Sequence, residues 1–224
     1  MNLRKKVILV EGIEFLILAL CLFIAAGTAA WPAAWIFLGL LLVSSLPITW
    51  WLLKYDPELI EERLRFRPEL SWDKVFVAVA LAFFLFWLIL MPLNAVRFHW
   101  SQMPSVLKTL GALVLLISMY ISFLTLRENP YSSAVVRVQK ERGQTVISTG
   151  PYSYVRHPMY TGVILFFLGT SLLLGSWFGV LCALAFALLF AIRAVLEERV
   201  LRKELEGYDA YMARVKYRFF PSIW

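Results

Sequence analysis

The sequence predicts an all-α integral membrane protein of about six transmembrane helices. The last two should form a tight hairpin, and a cytoplasmic C-terminal helix should follow. Three observations predict this. Of 224 residues, 61% are hydrophobic and only 17% charged, with a mean hydropathy of +0.73, more apolar surface than a soluble domain of this length carries. The apolar residues come in blocks of about 20, the length that spans a hydrocarbon core. The cations are also one-sided: of the 22 Lys and Arg, only Arg97 and Lys108 fall near the far side. The net charge of +7 therefore follows from loop position and the positive-inside rule, not from a nucleic-acid partner.

Taken in order, the basic start Met1–Lys6 and the apolar run after it read as a retained first span, too long for a signal peptide. Span 1 runs from about Val7 to Ala29 and carries Glu11 and Glu14, read at headgroup level rather than facing a polar cavity. Trp31-Pro32 makes a turn into span 2, which reaches about Leu53. Trp31, Trp35, Trp50 and Trp51 lie towards its ends as an aromatic belt would. The charged stretch Lys54–Asp73 contains Glu58-Leu59-Ile60-Glu61-Glu62-Arg63-Leu64, which reads as a short amphipathic helix on the membrane surface or as a solvated loop. Span 3 covers about Lys74–Ala95, Arg97-Phe98-His99-Trp100 forms its far-side loop, and span 4 covers about Val106–Leu126.

Arg127–Arg156 is the longest polar segment, long enough for a function of its own. The apolar block Pro158–Ile192 would be about 50 Å long as one helix, too long for one span. Leu174-Gly175-Ser176-Trp177 is the natural reversal, giving spans 5 and 6. Arg193–Val215 then reads as a charged helix with Glu198, Leu201, Leu205, Tyr208 and Met212 on one stripe, and Gly207 marks a bend. A five-span reading would put the tail, with its seven Lys and Arg, outside, so six spans and two cytoplasmic termini fit the charges better. The chain divides into residues 1–126, spans and surface segment, and residues 127–224, the segment where the chemistry gathers.

That chemistry centres on the boundary stretch Gly150–Gly162. Gly150-Pro151 signals a turn, and Pro158 suits the first position of a helix, where its missing N–H is not needed. His157 and Tyr160, three apart, project from one face of that first turn. A helix start favours an anionic ligand group, so His157 is placed to hold a carboxylate. The sequence has no internal repeat, P-loop or dinucleotide glycine fingerprint. With Cys21 and Cys182 inside apolar blocks and His99 far from His157, no metal site is expected.

The series Gly150-x-Tyr152-x-x-x-Arg156-His157-Pro158-x-Tyr160-x-Gly162, then a hairpin, then Glu197-Glu198-x-x-Leu201 and Tyr208-x-x-Tyr211, resembles the isoprenylcysteine carboxyl methyltransferase family, which groups with membrane phospholipid N-methyltransferases. The resemblance is strong over about 137–224 and generic over spans 1 to 4. It implies methyl transfer from S-adenosylmethionine (SAM), bound from the cytoplasm, to a lipophilic acceptor such as a prenylcysteine-like carboxylate. Carried over, it places cofactor contacts at Gln139, Gln144, Thr145, Val146, Ile147, Tyr152, His157, Pro158, Met159 and Tyr160. Arg193 and Glu197, four apart, would face the acceptor, while Glu198 could serve the cofactor or replace Glu197. Read chemically, Tyr152, Tyr154 and Tyr160 offer aromatic faces to an adenine or sulfonium, and the paired acids can bind an ammonium or take a proton. Tyr208 and Tyr211 read as packing residues. The runner-up is an NADPH-dependent membrane sterol-type reductase with a similar C-terminal end, in which Arg137, Lys140 and Arg142 would meet the 2′-phosphate. A third reading is a non-catalytic scaffold that binds no cofactor.

Overall fold

The computed structural model describes residues 2–224; Met1, the first residue of the expected basic start, lies outside the described residues. The described chain is helical, in the order α1 (Leu3–Ala26), α2 (Pro32–Tyr55), α3 (Pro57–Arg65), α4 (Ser71–Pro92), α5 (Ser105–Glu128), α6 (Pro158–Leu173), α7 (Trp177–Glu204) and α8 (Tyr208–Arg214). A π-helical turn, Leu93–Arg97, extends α4. Five of these helices, α1, α2, α4, α5 and α7, are long and apolar enough to cross a membrane. The sixth expected span, α6, has 16 residues, about 24 Å, against a hydrocarbon core of about 30 Å. The chain is thus a multi-pass membrane protein with five full-length apolar helices and one short one.

Local chemistry sets the ends. Gly27, at φ 73°, closes α1 and donates its N–H to the carbonyls of Phe23 and Ile24, a left-handed geometry that glycine adopts without strain. Asp56 ends α2 with its backbone N–H on Leu52 and starts α3 with its carboxylate accepting from the Leu59 N–H at 3.1 Å. Pro158 occupies the first turn of α6 as expected. Ser176 caps α7 by accepting from the Gly179 N–H at 3.0 Å, so the hairpin reverses where the sequence places it.

The closest helix pair is α5 with α6. A Cβ on Gly111 would stand 2.4 Å from the Leu173 backbone nitrogen, and one on Gly169 2.6 Å from that of Leu115. Small residues here let two backbones meet, and Ser118 adds a hydrogen bond to the Gly162 carbonyl at 2.9 Å. Beside this seam the core is aromatic: Phe167 and Phe186 stack, and buried Trp87 donates Nε1–H to Ser171 Oγ at 3.0 Å.

One expectation is corrected. The charged helix does not begin at Arg193. Nothing between Ile192 and Arg193 breaks a helix, so α7 runs unbroken from Trp177 to Glu204 and carries its charged end out beyond the apolar part. It stops before Gly207 (φ 81°), and the expected bend separates it from the short α8. The charged stretch forms a short helix, α3, one of the two readings given for it, and its apolar face is covered by the bundle. Leu59 and Ile60 are buried against Val7, Leu52 and Leu126, because the bundle offers an apolar seat. In span 1, Glu11 accepts a hydrogen bond from Thr49 of α2, and Glu14 is exposed.

Candidate functional site

The boundary turn is held from below by the chain end. After α8 the backbone runs back under residues 156–161, so the Arg156 and His157 N–H groups donate to the carbonyls of Tyr217 and Arg218, each at 2.9 Å. Thr161 Oγ1 donates to the Phe219 carbonyl at 2.6 Å, and Arg156 Nη1 donates to those of Val215 and Lys216. The N–H of His157 that a free helix start would offer to an anion is therefore already satisfied.

Glu198 is the hub beneath the turn. It is 3% exposed and accepts from Arg156 Nε at 2.7 Å, His157 Nε2 at 3.1 Å and Arg218 Nε at 3.0 Å. A carboxylate only accepts, so Nε2 carries the imidazole proton in this contact. Arg218 also lies 4.4 Å over the Trp224 ring. A buried carboxylate with two guanidinium partners is a structural joint.

Glu197, one residue earlier, points elsewhere. Its Oε2 accepts from Tyr160 Oη at 2.6 Å and stands 3.7 Å from His157 Nδ1. Among the described residues no Lys or Arg pairs with it. His157 stacks on Tyr160, with ring centroids 5.3 Å apart and planes 6° apart. The histidine expected to hold a ligand carboxylate is thus flanked by two carboxylates of the chain itself, an environment that favours a cation.

Arg193 is also engaged from within. Buried at 7% exposure, it pairs with Asp73 Oδ1 at 3.0 Å, donates Nη2–H to the Ala134 carbonyl at 3.0 Å and lies 4.5 Å over the Phe76 ring. Asp73 Oδ2 accepts the Val136 N–H at 2.9 Å, so one carboxylate from the start of α4 ties loop 134–136 to α7. The Arg193 Nε–H has no partner among the described residues.

The polar segment between α5 and α6 folds over these groups and is clamped by α3. Glu62 pairs with Arg137 at 3.1 Å, Arg63 Nη1 donates to the Ser132 carbonyl at 3.0 Å, and Glu58 stands 3.5 Å from Arg142. Gln139 is fully buried inside this loop. Its Nε2 donates to the Tyr131 carbonyl at 2.8 Å, its Oε1 accepts from Arg142 at 2.6 Å, and its backbone N–H donates to Gln144 Oε1 at 2.7 Å. Asn129 Nδ2 donates to Tyr152 Oη at 2.8 Å, and burial pushes that phenol up, so it keeps its proton.

Between the loop, the turn, α7 and α8 lies a cleft with about 810 Å³ of empty space, counted out into its solvent-open mouth. Of the residues singled out from sequence, Gln144, Thr145, Val146, Ile147, Tyr152, His157, Met159, Tyr160 and Glu197 line it. Gln139, Pro158, Arg193 and Glu198 are not part of its wall. Gln139 shapes the loop, Glu198 and Arg193 sit in the two ion networks, and Pro158 faces an apolar groove on the opposite side with Ile121, Leu165 and Phe219. Tyr208 and Tyr211, read as packing residues, both line the cleft. Asp73, Arg218 and the α3 acids were missed, since they come from distant segments. For the tyrosines the signal was present: Tyr208-x-x-Tyr211 puts two phenols on one face of a helix.

Residues 106–206, from the start of α5 to the end of α7, match the phospholipid methyltransferase family. The protein-S-isoprenylcysteine O-methyltransferase of Saccharomyces cerevisiae is 32% identical over 78 residues, 34% of this chain and 33% of the relative. That of Schizosaccharomyces pombe is 32% identical over 85 residues, 37% of this chain and 36% of the relative. Through this segment the chain is similar to phospholipid methyltransferases and to protein-S-isoprenylcysteine O-methyltransferases. It spans about a third of the length of the curated relatives it matches. The matched segment opens at α5, whose Gly111 meets α6, so the seam and most of the cleft wall lie in one stretch of sequence.

Proposed function

We propose that the protein is a SAM-dependent membrane methyltransferase acting on a lipophilic acceptor, with the cleft on the cytoplasmic side and both termini there by the charge asymmetry of the loops. The observation that carries this reading is the charge balance of the cleft. Its arginines are matched, Arg156 by Glu198 and Arg137 by Glu62, Glu69 and Glu141, while Glu197 has no Lys or Arg partner among the described residues. Such a cleft suits a ligand with cationic groups, and SAM has an ammonium and a sulfonium. It does not suit NADPH: Arg137, Lys140 and Arg142, the cations suggested for a 2′-phosphate, are all paired with glutamates.

Glu197 and the faces of Tyr152 and Tyr160 would hold the cofactor, with Val146, Ile147 and Leu205 as an apolar wall. SAM when bound supplies an electrophilic methyl group on sulfur. The chain's task is then to hold and align, since displacement at a methyl carbon needs mainly a close, collinear pair of reactants. Tyr160 fixes Glu197 by its 2.6 Å hydrogen bond. Arg193 retains its Nε–H for an acceptor carboxylate, in keeping with relatives named protein-S-isoprenylcysteine O-methyltransferases. A carboxylate is already ionised, so Glu197 orients and takes no proton. We place the catalytic unit from α5 onward rather than from residue 127, because α5 and α6 pack backbone to backbone.

Calorimetric titration of detergent-purified protein with S-adenosylhomocysteine and, separately, NADPH tests the reading. Micromolar binding of the first alone is expected, followed by transfer of labelled methyl from SAM to an N-acylated S-prenylcysteine. NADPH binding alone would overturn it, and binding of neither would return the scaffold reading.

A further inference from the structure

Tyr208 lines the cleft, is 5% exposed, and its hydroxyl has no hydrogen-bond partner among the described residues. A buried phenol without a partner is destabilising by the desolvation of its O–H and calls for an explanation. Its neighbour Tyr211 shows the contrast, since that hydroxyl donates to the Tyr152 carbonyl at 2.8 Å. Packing alone would be served equally by phenylalanine at 208.

We propose that Tyr208 is a ligand-binding residue whose O–H donates to a ring nitrogen of the purine of the bound cofactor. This rests on the SAM reading above. The surroundings select the acceptor. Tyr208 belongs to a cluster with Leu205, Tyr211 and Val215, against which Val146, Tyr152 and Leu201 pack, an apolar and aromatic setting that suits a flat neutral ring. An anionic acceptor is disfavoured because Glu197 and Glu198 are close enough to act on the phenol electrostatically. Burial and those carboxylates push the Tyr208 phenol up, so it remains a donor. Glu197 then marks the cationic end of the cleft and Tyr208 the nucleoside end.

The test uses S-adenosylhomocysteine and its 1-deaza, 3-deaza and 7-deaza analogues, titrated into wild-type protein and Tyr208→Phe. Against wild type, one deaza analogue should bind about tenfold weaker than the parent, the worth of one neutral hydrogen bond with its partner left buried. Tyr208→Phe should bind the parent about tenfold weaker and lose nothing further with that same analogue. Without ligand, Tyr208→Phe should melt higher by roughly 2 °C, because an orphaned hydroxyl is removed. Three deaza analogues equal to the parent on wild type would overturn the proposal even if the variant failed to fold. So would unchanged affinity in Tyr208→Phe, or losses that add. Failure of wild type to bind S-adenosylhomocysteine at all would overturn the methyltransferase reading itself, and the assignment of Tyr208 with it.

Discussion

Glu197 and Glu198 are adjacent and chemically identical, yet the structure gives them opposite work, so replacing each by Gln should separate stability from binding. Glu198→Gln keeps the shape and removes the charge. It leaves Arg156, with a side chain 5% exposed, and Arg218 facing an amide that offers one acceptor oxygen in place of a carboxylate receiving three donors. Breaking a buried ion network by removing one partner costs about 3–5 kcal/mol. At roughly 2–4 °C per kcal/mol for a chain of this size, that is a fall in Tm of about 10 °C. The effect should be local first. The Arg156 and His157 amides, which donate to Tyr217 and Arg218, should exchange hydrogen faster as the chain end loosens. Thermal unfolding in detergent by tryptophan fluorescence, with hydrogen exchange of the 150–162 peptide, reads both. A Tm within about 2 °C of wild type and unchanged exchange would refute the view of Glu198 as the joint beneath the turn.

The complementary variant, Glu197→Gln, should leave Tm nearly unchanged, because the amide oxygen still accepts from Tyr160. It should weaken S-adenosylhomocysteine binding at least tenfold; full binding would remove the electrostatic basis of the proposed function. Asp73→Asn should spare cofactor affinity and lower transfer to a prenylcysteine probe, as Arg193 loses its counter-ion and loop 134–136 its anchor. Loss of both together would put Arg193 on the cofactor side instead. Gly169→Ala should destabilise the α5–α6 seam by about 1–3 kcal/mol, because the new Cβ would meet the Leu115 nitrogen at 2.6 Å and a backbone cannot step aside as a side chain does. A melting temperature equal to wild type would show that the seam is looser than described.

Much of the architecture was legible because in a membrane the solvent reads composition directly. Apolar blocks of spanning length, Pro32, Pro158 and the Leu174–Trp177 reversal at helix ends, and one-sided cations each act through neighbours in sequence, so the helical class and the hairpin followed from the chain alone. The same holds for the residues around the turn, since Tyr152, His157, Met159 and Tyr160 reach the cleft from within nine positions of one another. The short α6 was less legible, because an unbroken apolar run from Pro158 says little about how much of it lies within the bilayer.

Contacts between remote segments were decided only by tertiary structure. Sequence spacing put Arg193 and Glu197 on one helical face, but burial beside Asp73, more than a hundred positions earlier, engages the arginine, while Glu197 stays with the cleft. The choice between Glu197 and Glu198 turns on which carboxylate meets Arg156 and Arg218, and a helix repeating every 3.6 residues points adjacent side chains about 100° apart. Tyr208 looked like packing because a stripe of apolar and aromatic residues has the same pattern whether or not its hydroxyl finds a partner. Pattern shows which residues turn inward; only the fold shows what each of them meets there.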